Sequence, residues 1–168
     1  MEGWGYLAVL LDLFSRRVVE WAMELHMRVE LPLKALKMAC QGRLPPTDLI
    51  HHTDRGSQYA SKVYRSRLAE QGMVCSMSRR GECWDNAAGE IFFGSLKDDL
   101  IYRGQWETRT QLMAAVNDYI EHFYNSRRRH SPAGNLPPTI YEAKTEHSDY
   151  GINQRSTFSD QDHFLLLP

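Results

Sequence analysis

At 168 residues the chain has the length of one domain, and 42% apolar with 11% aromatic residues is enough to bury an ordinary core, which excludes a chain disordered throughout. No run reaches the roughly 18 apolar residues that span a bilayer, and the N-terminus has no basic region followed by an apolar stretch and a cleavage site, so a cytoplasmic protein without a membrane partner is expected. The formal charge of −1 is unevenly spread: residues 140–168 hold five acids and two bases, leaving residues 1–139 at +2, a balance that neither requires nor excludes nucleic acid.

Taken in chain order, Tyr6 to Phe14 is an apolar run broken only by Asp12, and Val18 to Met23 follows after the polar turn Ser15-Arg16-Arg17, which predicts a hairpin of two strands. Leu33, Leu36, Lys37 and Cys40 share one side of a helix that starts near Pro32 and ends at Gly42. After the Pro45-Pro46 loop, Leu49-Ile50-His51-His52 suits a short buried strand, and Thr53 to Ser57 a polar turn. Val63, Tyr64, Arg67 and Leu68 predict a helix closed by Gly72, and Met73 to Met77 a further strand. Ser78 to Cys83 reads as a loop, after which Asp85 or Asn86 caps a helix running to about Leu100. Leu112, Val116, Ile120 and Phe123 recur at helical spacing between Thr108 and Tyr124. Pro132, Pro137 and Pro138 are expected to end regular structure, and the aperiodic segment 144–168 to form a disordered or loosely docked tail whose loss leaves stability almost unchanged. Cys40, Cys75 and Cys83 form no C-x-x-C pair and read as reduced thiols.

Two acids stand out. Phosphoryl transfer with two metal ions needs hard carboxylate oxygens converging from separate elements. Asp54 lies just past the end of a predicted buried strand, where Gly56 permits close approach, and Glu90 lies about one turn inside a helix that follows a loop. His51 and His52 cannot easily share an ion, because adjacent strand residues face opposite ways. Tyr59 and Trp84 read as packing residues rather than platforms for an unpaired base.

The run His51-His52-Thr53-Asp54-Arg55-Gly56-Ser57-Gln58-Tyr59, followed by Ser78-Arg79-Arg80-Gly81-Glu82-Cys83-Trp84-Asp85-Asn86-Ala87-Ala88-Gly89-Glu90, resembles the second and third acidic motifs of the DDE insertion-sequence transposases, whose cores are of the retroviral-integrase type. The 35 residues between Asp54 and Glu90 agree with that class, and the likeness extends from about Gly3 to Tyr141, including Asp12 to Val19 and Phe123 to Pro132. The resemblance implies an α/β, RNase H-like fold with a mixed sheet flanked by helices. It further implies two Mg²⁺ or Mn²⁺ ions held by Asp54 and Glu90, and cleavage and joining of DNA strands at transposon ends and target. It places DNA contacts at Lys97, at Arg79 and Arg80, and at Arg127, Arg128 and Arg129, the last three also suiting a helix C-terminus. Association with a second copy is left open.

In the family the first aspartate sits on a strand preceding Tyr6 to Asp12, in an Asp-x-Thr motif that this sequence lacks. Residues 1–143 are therefore read as a partial core with its first strand missing, Tyr6 to Asp12 having one unpaired edge, its metals weakly held and its strand transfer impaired, and residues 144–168 as a disordered or non-family tail. Asp12 reads instead as the end of its strand, paired with Arg16 or Arg17. A non-catalytic remnant and a metal-dependent nuclease are the competing functions.

Overall fold

The computed structural model describes residues 4–54, 56–77, 87–145 and 156–165, the last stretch as backbone. The elements are β1 (Trp4–Asp12), β2 (Val18–Glu24), α1 (Glu30–Gly42), β3 (Ile50–Thr53), α2 (Ser57–Ala60), α3 (Lys62–Glu70), β4 (Val74–Met77), α4 (Ala87–Leu96), α5 (Arg109–Asp118), α6 (Pro138–Thr145) and β5 (Ser156–Leu165). Helix α4 widens into a π-helical turn over Lys97–Ile101, and α5 does so over Tyr119–Tyr124.

The strands form one mixed sheet in the order β2-β1-β5-β3-β4. β1 explains its own composition. Leu7, Val9 and Leu11 join a core with Phe92, Phe93 and Leu96 of α4 and Leu112 and Val116 of α5. Ala8 and Leu10, pointing the other way, join Leu31, Ala35 and Leu36 of α1 and Tyr64 and Leu68 of α3. A strand buried on both faces needs a continuous apolar run rather than alternation. β2 pairs antiparallel with it from Tyr6↔Glu24 to Leu11↔Val18, with a register shift between Leu10 and Leu11. Arg16 takes a positive φ of 65° in the connecting turn. β3 and β4 run parallel, from Ile50↔Val74 to Thr53↔Met77. Helix α5 opens with a capping box in which the Thr108 and Gln111 side chains take each other's backbone N–H groups.

Three expectations change. Pro138 begins α6 rather than ending regular structure, since proline at a first helical position forfeits only an N–H with no intrahelical partner. Part of the tail expected to be disordered or loosely docked is a paired strand: β5 pairs antiparallel with β1 from Trp4↔Leu165 to Asp12↔Thr157, and parallel with β3 from Ile50↔Ser156 to Thr53↔Ser159. The edge of Tyr6 to Asp12 expected to be unpaired is consequently paired. Backbone groups of β1 and β3 need ladder partners whatever side chains the partner carries, a requirement invisible to side-chain periodicity.

Helix α6 is tied down at two points. Asn125, 1% exposed, receives the Val18 N–H at 2.9 Å and donates its own amide to the Val18 carbonyl at 3.0 Å, while its backbone carbonyl accepts from Thr139 N. Glu142 accepts from Arg17 Nη1 and Arg43 Nη2, each at 2.8 Å, and from Ser15 Oγ at 2.9 Å. Burial opposes its charge, but the hydrogen bonds from Arg43 and Arg17 outweigh that and hold the carboxyl below the usual glutamate range. Glu142→Gln should destabilise the fold by roughly 2–3 kcal/mol at neutral pH, read by denaturant unfolding. Because the folded carboxyl ionises more readily than the unfolded one, its contribution is complete above the ordinary value of 4.5 and fades as pH falls through the depressed one. The gap between parent and variant should therefore narrow below pH 4.5; a gap independent of pH would reject the ion cluster.

Candidate active site and nucleic-acid surface

Strand β3 delivers the first acid. His51, wholly buried, bonds through Nε2 to the Tyr64 hydroxyl on α3, whereas the His52 Nδ1 meets Ser76 Oγ on β4, so the two imidazoles diverge as strand geometry requires. Burial pushes the His51 pKa down to about 3, which keeps it neutral. Asp54 follows the last residue of β3, half-buried, with Oδ1 accepting the Gly56 N–H at 2.7 Å. A Cβ at position 56 would stand 2.8 Å from that oxygen and 2.9 Å from Gln58 Oε1, so any side chain there would push the Asp54 carboxylate or the Gln58 amide aside. Gln58 anchors the next turn by donating to the Met27 carbonyl, and Tyr59 is fully buried edge-on to Tyr64, a packing residue as expected.

Helix α4 carries the second acid. Phe92, Phe93 and Leu96 bury its inner side, leaving Glu90 exposed in its first turn, where the helix dipole favours a carboxylate. α4 lies against β5, the neighbour of β3. One register step beyond Thr53↔Ser159 leads out of that ladder at Asp54. The two acids thus stand on elements separated by a single strand. The donors are hard oxygens of the kind a divalent ion takes, although no group of three His, Cys, Asp or Glu side chains able to hold a metal is assembled among the described residues.

Comparison with known proteins bears on this arrangement. An integrase core domain model matches residues 1–83, and a second integrase core domain model matches residues 90–145. The transposase InsF of insertion sequence IS3A from Escherichia coli is 46% identical over 143 residues, 85% of this chain and 50% of that protein. An insertion element IS600 uncharacterized 31 kDa protein of Shigella sonnei is 43% identical over 143 residues, 85% of this chain and 53% of that protein.

The chain belongs to the insertion-sequence transposases, as an integrase-core segment.

It spans about half the length of the curated relatives it matches. Within this transposase segment the cationic candidates divide. Arg79 and Arg80 lie outside the described residues, as do the expected caps Asp85 and Asn86 and the residues Trp84 and Cys83. Lys97 starts the π-helical turn at the end of α4. Arg128 reaches across to the same turn, donating to Asp99 Oδ2 at 2.8 Å and to Ser95 Oγ at 2.7 Å, so two residues flanking Lys97 hold it. Tyr119 adds its hydroxyl to Asp99, with burial and the neighbouring carboxylate raising that hydroxyl's pKa well above its ordinary value. Arg127 and Arg129 are exposed on either side of Arg128. Residues thirty positions apart are thereby gathered at one end of α4. Among the described residues, no helix is long and apolar enough to cross a membrane.

Asp12 is a structural acid. Its Oδ1 accepts from Phe14 N at 2.9 Å and Ser15 N at 3.1 Å, closing the β1–β2 turn. Its guanidinium neighbour is Arg43, at 3.9 Å, rather than Arg16 or Arg17, because Arg17 is taken by Glu142. Burial first, then the Glu142 charge, raises its pKa against the pull of those backbone donors and Arg43. Sequence reading missed Glu142, Asn125 and Ser15 altogether; each acts on a residue more than 100 positions away, beyond the reach of any local pattern.

Two outcomes follow for this region. Gly56→Ala should leave the melting temperature nearly unchanged, since the backbone there is ordinary and alanine reduces unfolded-state entropy, and, if Asp54 is a metal ligand, should weaken Mn²⁺ binding about tenfold by displacing its carboxylate. Unaltered Mn²⁺ affinity in that variant would show that the Asp54 orientation is irrelevant. His51 takes a proton more readily unfolded, at 6.5, than folded, at about 3. Its contribution is therefore complete above 6.5 and is lost at roughly 1.4 kcal/mol per pH unit below it until about pH 3. His51→Gln should flatten the stability profile between pH 6.5 and 4; a profile parallel to the parent's would disprove it.

Proposed function

We propose that this chain is the part of a transposase core that cleaves and joins DNA strands, built on an RNase H-like sheet, with Asp54 and Glu90 as the carboxylates that hold a divalent metal pair. The observation that supports the reading is that Asp54 follows the C-terminal end of a parallel strand, and that α4, the helix bearing Glu90, packs against β5, the strand beside it. Strand ends of this kind are where α/β sheets open toward ligands. The Gly56 N–H fixes the Asp54 carboxylate, and α4 buries Phe92, Phe93 and Leu96 while Glu90 stays at the surface. Bound Mg²⁺ or Mn²⁺ supplies the charge that activates a water or DNA 3′-hydroxyl and stabilises the departing oxygen. Two carboxylates make up a minority of the oxygens such an ion takes, so affinity is low and strand transfer by this chain slow.

DNA is the substrate this reading requires. Exposed Arg127 and Arg129, with Lys97 on the adjoining turn, provide phosphate contacts, and Arg79 and Arg80 add to them. Arg128 serves differently, bracing that segment against α4 through Asp99 and Ser95.

Mn²⁺ binding measured by calorimetry or water-proton relaxation tests the metal assignment. Asp54→Asn and Glu90→Gln should each weaken binding tenfold or more while leaving the melting temperature within about 2 °C, because both residues lie outside the core. Paired with this, joining of pre-nicked DNA ends should be slow in the parent and absent in both variants. Mn²⁺ binding that survives both substitutions would refute the assignment.

A further inference from the structure

The turn that closes α4 leaves an aromatic ring outside the core. Over Leu100-Ile101-Tyr102, Ile101 goes inward at 8% exposure and Leu100 packs partly against the same core, while Tyr102 stays 72% exposed. The turn is firmly held. Tyr102 N donates to the Lys97 carbonyl at 2.9 Å, and Trp106, lying against Gly104 where no Cβ would fit, donates its indole N–H to the Ile101 carbonyl at 3.3 Å. A second ring stands on the segment bound to this one. Phe123 is 40% exposed, its ring 5.4 Å from that of Tyr119. Asp99 joins the two segments, accepting from the Tyr119 hydroxyl at 3.1 Å and from Arg128 at 2.8 Å. Tyr102 follows Asp99 and Phe123 follows Tyr119 by about one helical turn each, so both rings flank one junction.

Cations stand among the rings. Arg103 is exposed beside Tyr102, and Arg127 and Arg129 are exposed on either side of Arg128. None of the three joins an ion pair among the described residues. Of the acids on these segments, Asp99 is taken by Arg128 and Asp118 by His122, and Glu121 lines a groove with Glu20 and Trp21 of β2, which leaves Asp98. Excess positive charge interleaved with exposed rings suits a partner that is anionic along its length and offers flat apolar faces, which describes a nucleic-acid strand with unstacked bases. A duplex offers the phosphates but keeps its bases inside the stack.

We propose that this surface binds single-stranded DNA, with bases stacked on Tyr102 and Phe123 and phosphates on Arg103, Arg127 and Arg129. Resting on the DNA reading of the chain, the surface adds a distinction between unpaired and paired DNA. Tyr102 lies roughly 18 Å along the helical run from Glu90, so it holds the unpaired part of a strand and not the phosphate at which the carboxylates act.

Titration of the full chain, without metal, against labelled single-stranded DNA of about twenty thymidines, a duplex of equal length and an abasic strand with the same phosphates separates stacking from charge. The parent should bind the single strand at least about fivefold more tightly than the abasic one. Tyr102→Leu with Phe123→Leu should weaken single-strand binding about tenfold or more while moving duplex and abasic affinity less than about twofold, and Tyr102→Trp should retain single-strand binding. Arg127→Gln with Arg129→Gln should weaken all three and lower the salt slope by about two. A leucine pair that loses single strand and duplex equally, or loses neither, overturns the inference and leaves the DNA reading standing; no binding to any of the three overturns both. A leucine pair that dissociates a dimer of the chain with single-strand affinity unchanged assigns the surface to a second copy and also overturns it. If Phe123→Leu lowers the melting temperature, Tyr102→Leu and the abasic strand decide alone.

Discussion

Burial of β1 on both faces is the constraint from which the rest of the structure is arranged. Each of its inner residues must be covered, so a helix layer is needed on either side: α4 and α5 over Leu7, Val9 and Leu11, α1 and α3 over Ala8 and Leu10. Burying a side chain of this size is worth about 1.5–3 kcal/mol, which makes the strand a large share of the core's driving force. Its backbone is then cut off from water, and every N–H and C=O along it must find a ladder partner. β2 serves one edge and β5 the other. The helix that bears Glu90 is thereby fixed to one face of the sheet, and β3, the strand that ends just before Asp54, is joined to β1 through β5.

Positioning of the two acids of the proposed site is a consequence of packing a few residues away from them. Glu90 is displayed because Phe92, Phe93 and Leu96 are withdrawn into the core, three anchors on one side of a ten-residue helix. Asp54 is oriented because a glycine two positions later leaves room for its own N–H to reach the carboxylate. Within β3, His51 fills a buried polar position with a neutral ring bonded to Tyr64, which satisfies the imidazole without placing a buried charge near the proposed site.

Much of this was legible in the sequence. The β1–β2 hairpin, the helix after Pro32, the short strands around His51 and Cys75, and the helix through Leu112, Val116 and Ile120 all follow from periodicity and turn chemistry, because each is decided by residues close in the chain. Opposed His51 and His52, a structural Asp12 and a packed Tyr59 were also readable, since strand alternation and solvation costs are local arguments. What escaped was decided at long range. Glu142 looks like one acid in a polar segment until Arg17, Arg43 and Ser15 are folded around it. Pro138 looks like a stop because proline both ends and begins helices, and the outcome depended on α6 docking against Asn125. β5 has neither helical nor strand periodicity, and it is a strand because two backbones lacked a neighbour.

Charge shows the same division between composition and placement. The +2 of residues 1–139 gives little reason to expect a DNA surface, but a net figure counts cations already committed to acids within the fold. Arg17 and Arg43 belong to Glu142, Arg109 and Lys34 to Glu24, and Arg128 to Asp99. Such pairing does not merely subtract positive charge; it decides where the remainder stands. By drawing Arg128 onto Asp99 and Ser95, the fold leaves Arg127 and Arg129 at the surface beside the turn that begins with Lys97, at the far end of the helix from Glu90. A phosphate backbone responds to that local concentration, within about 10 Å at ordinary ionic strength, and not to the sum over the chain. The near-neutral whole is therefore compatible with a cationic rim at one end of α4, and the acidic residues that lower the net charge are in part the means by which that rim is built.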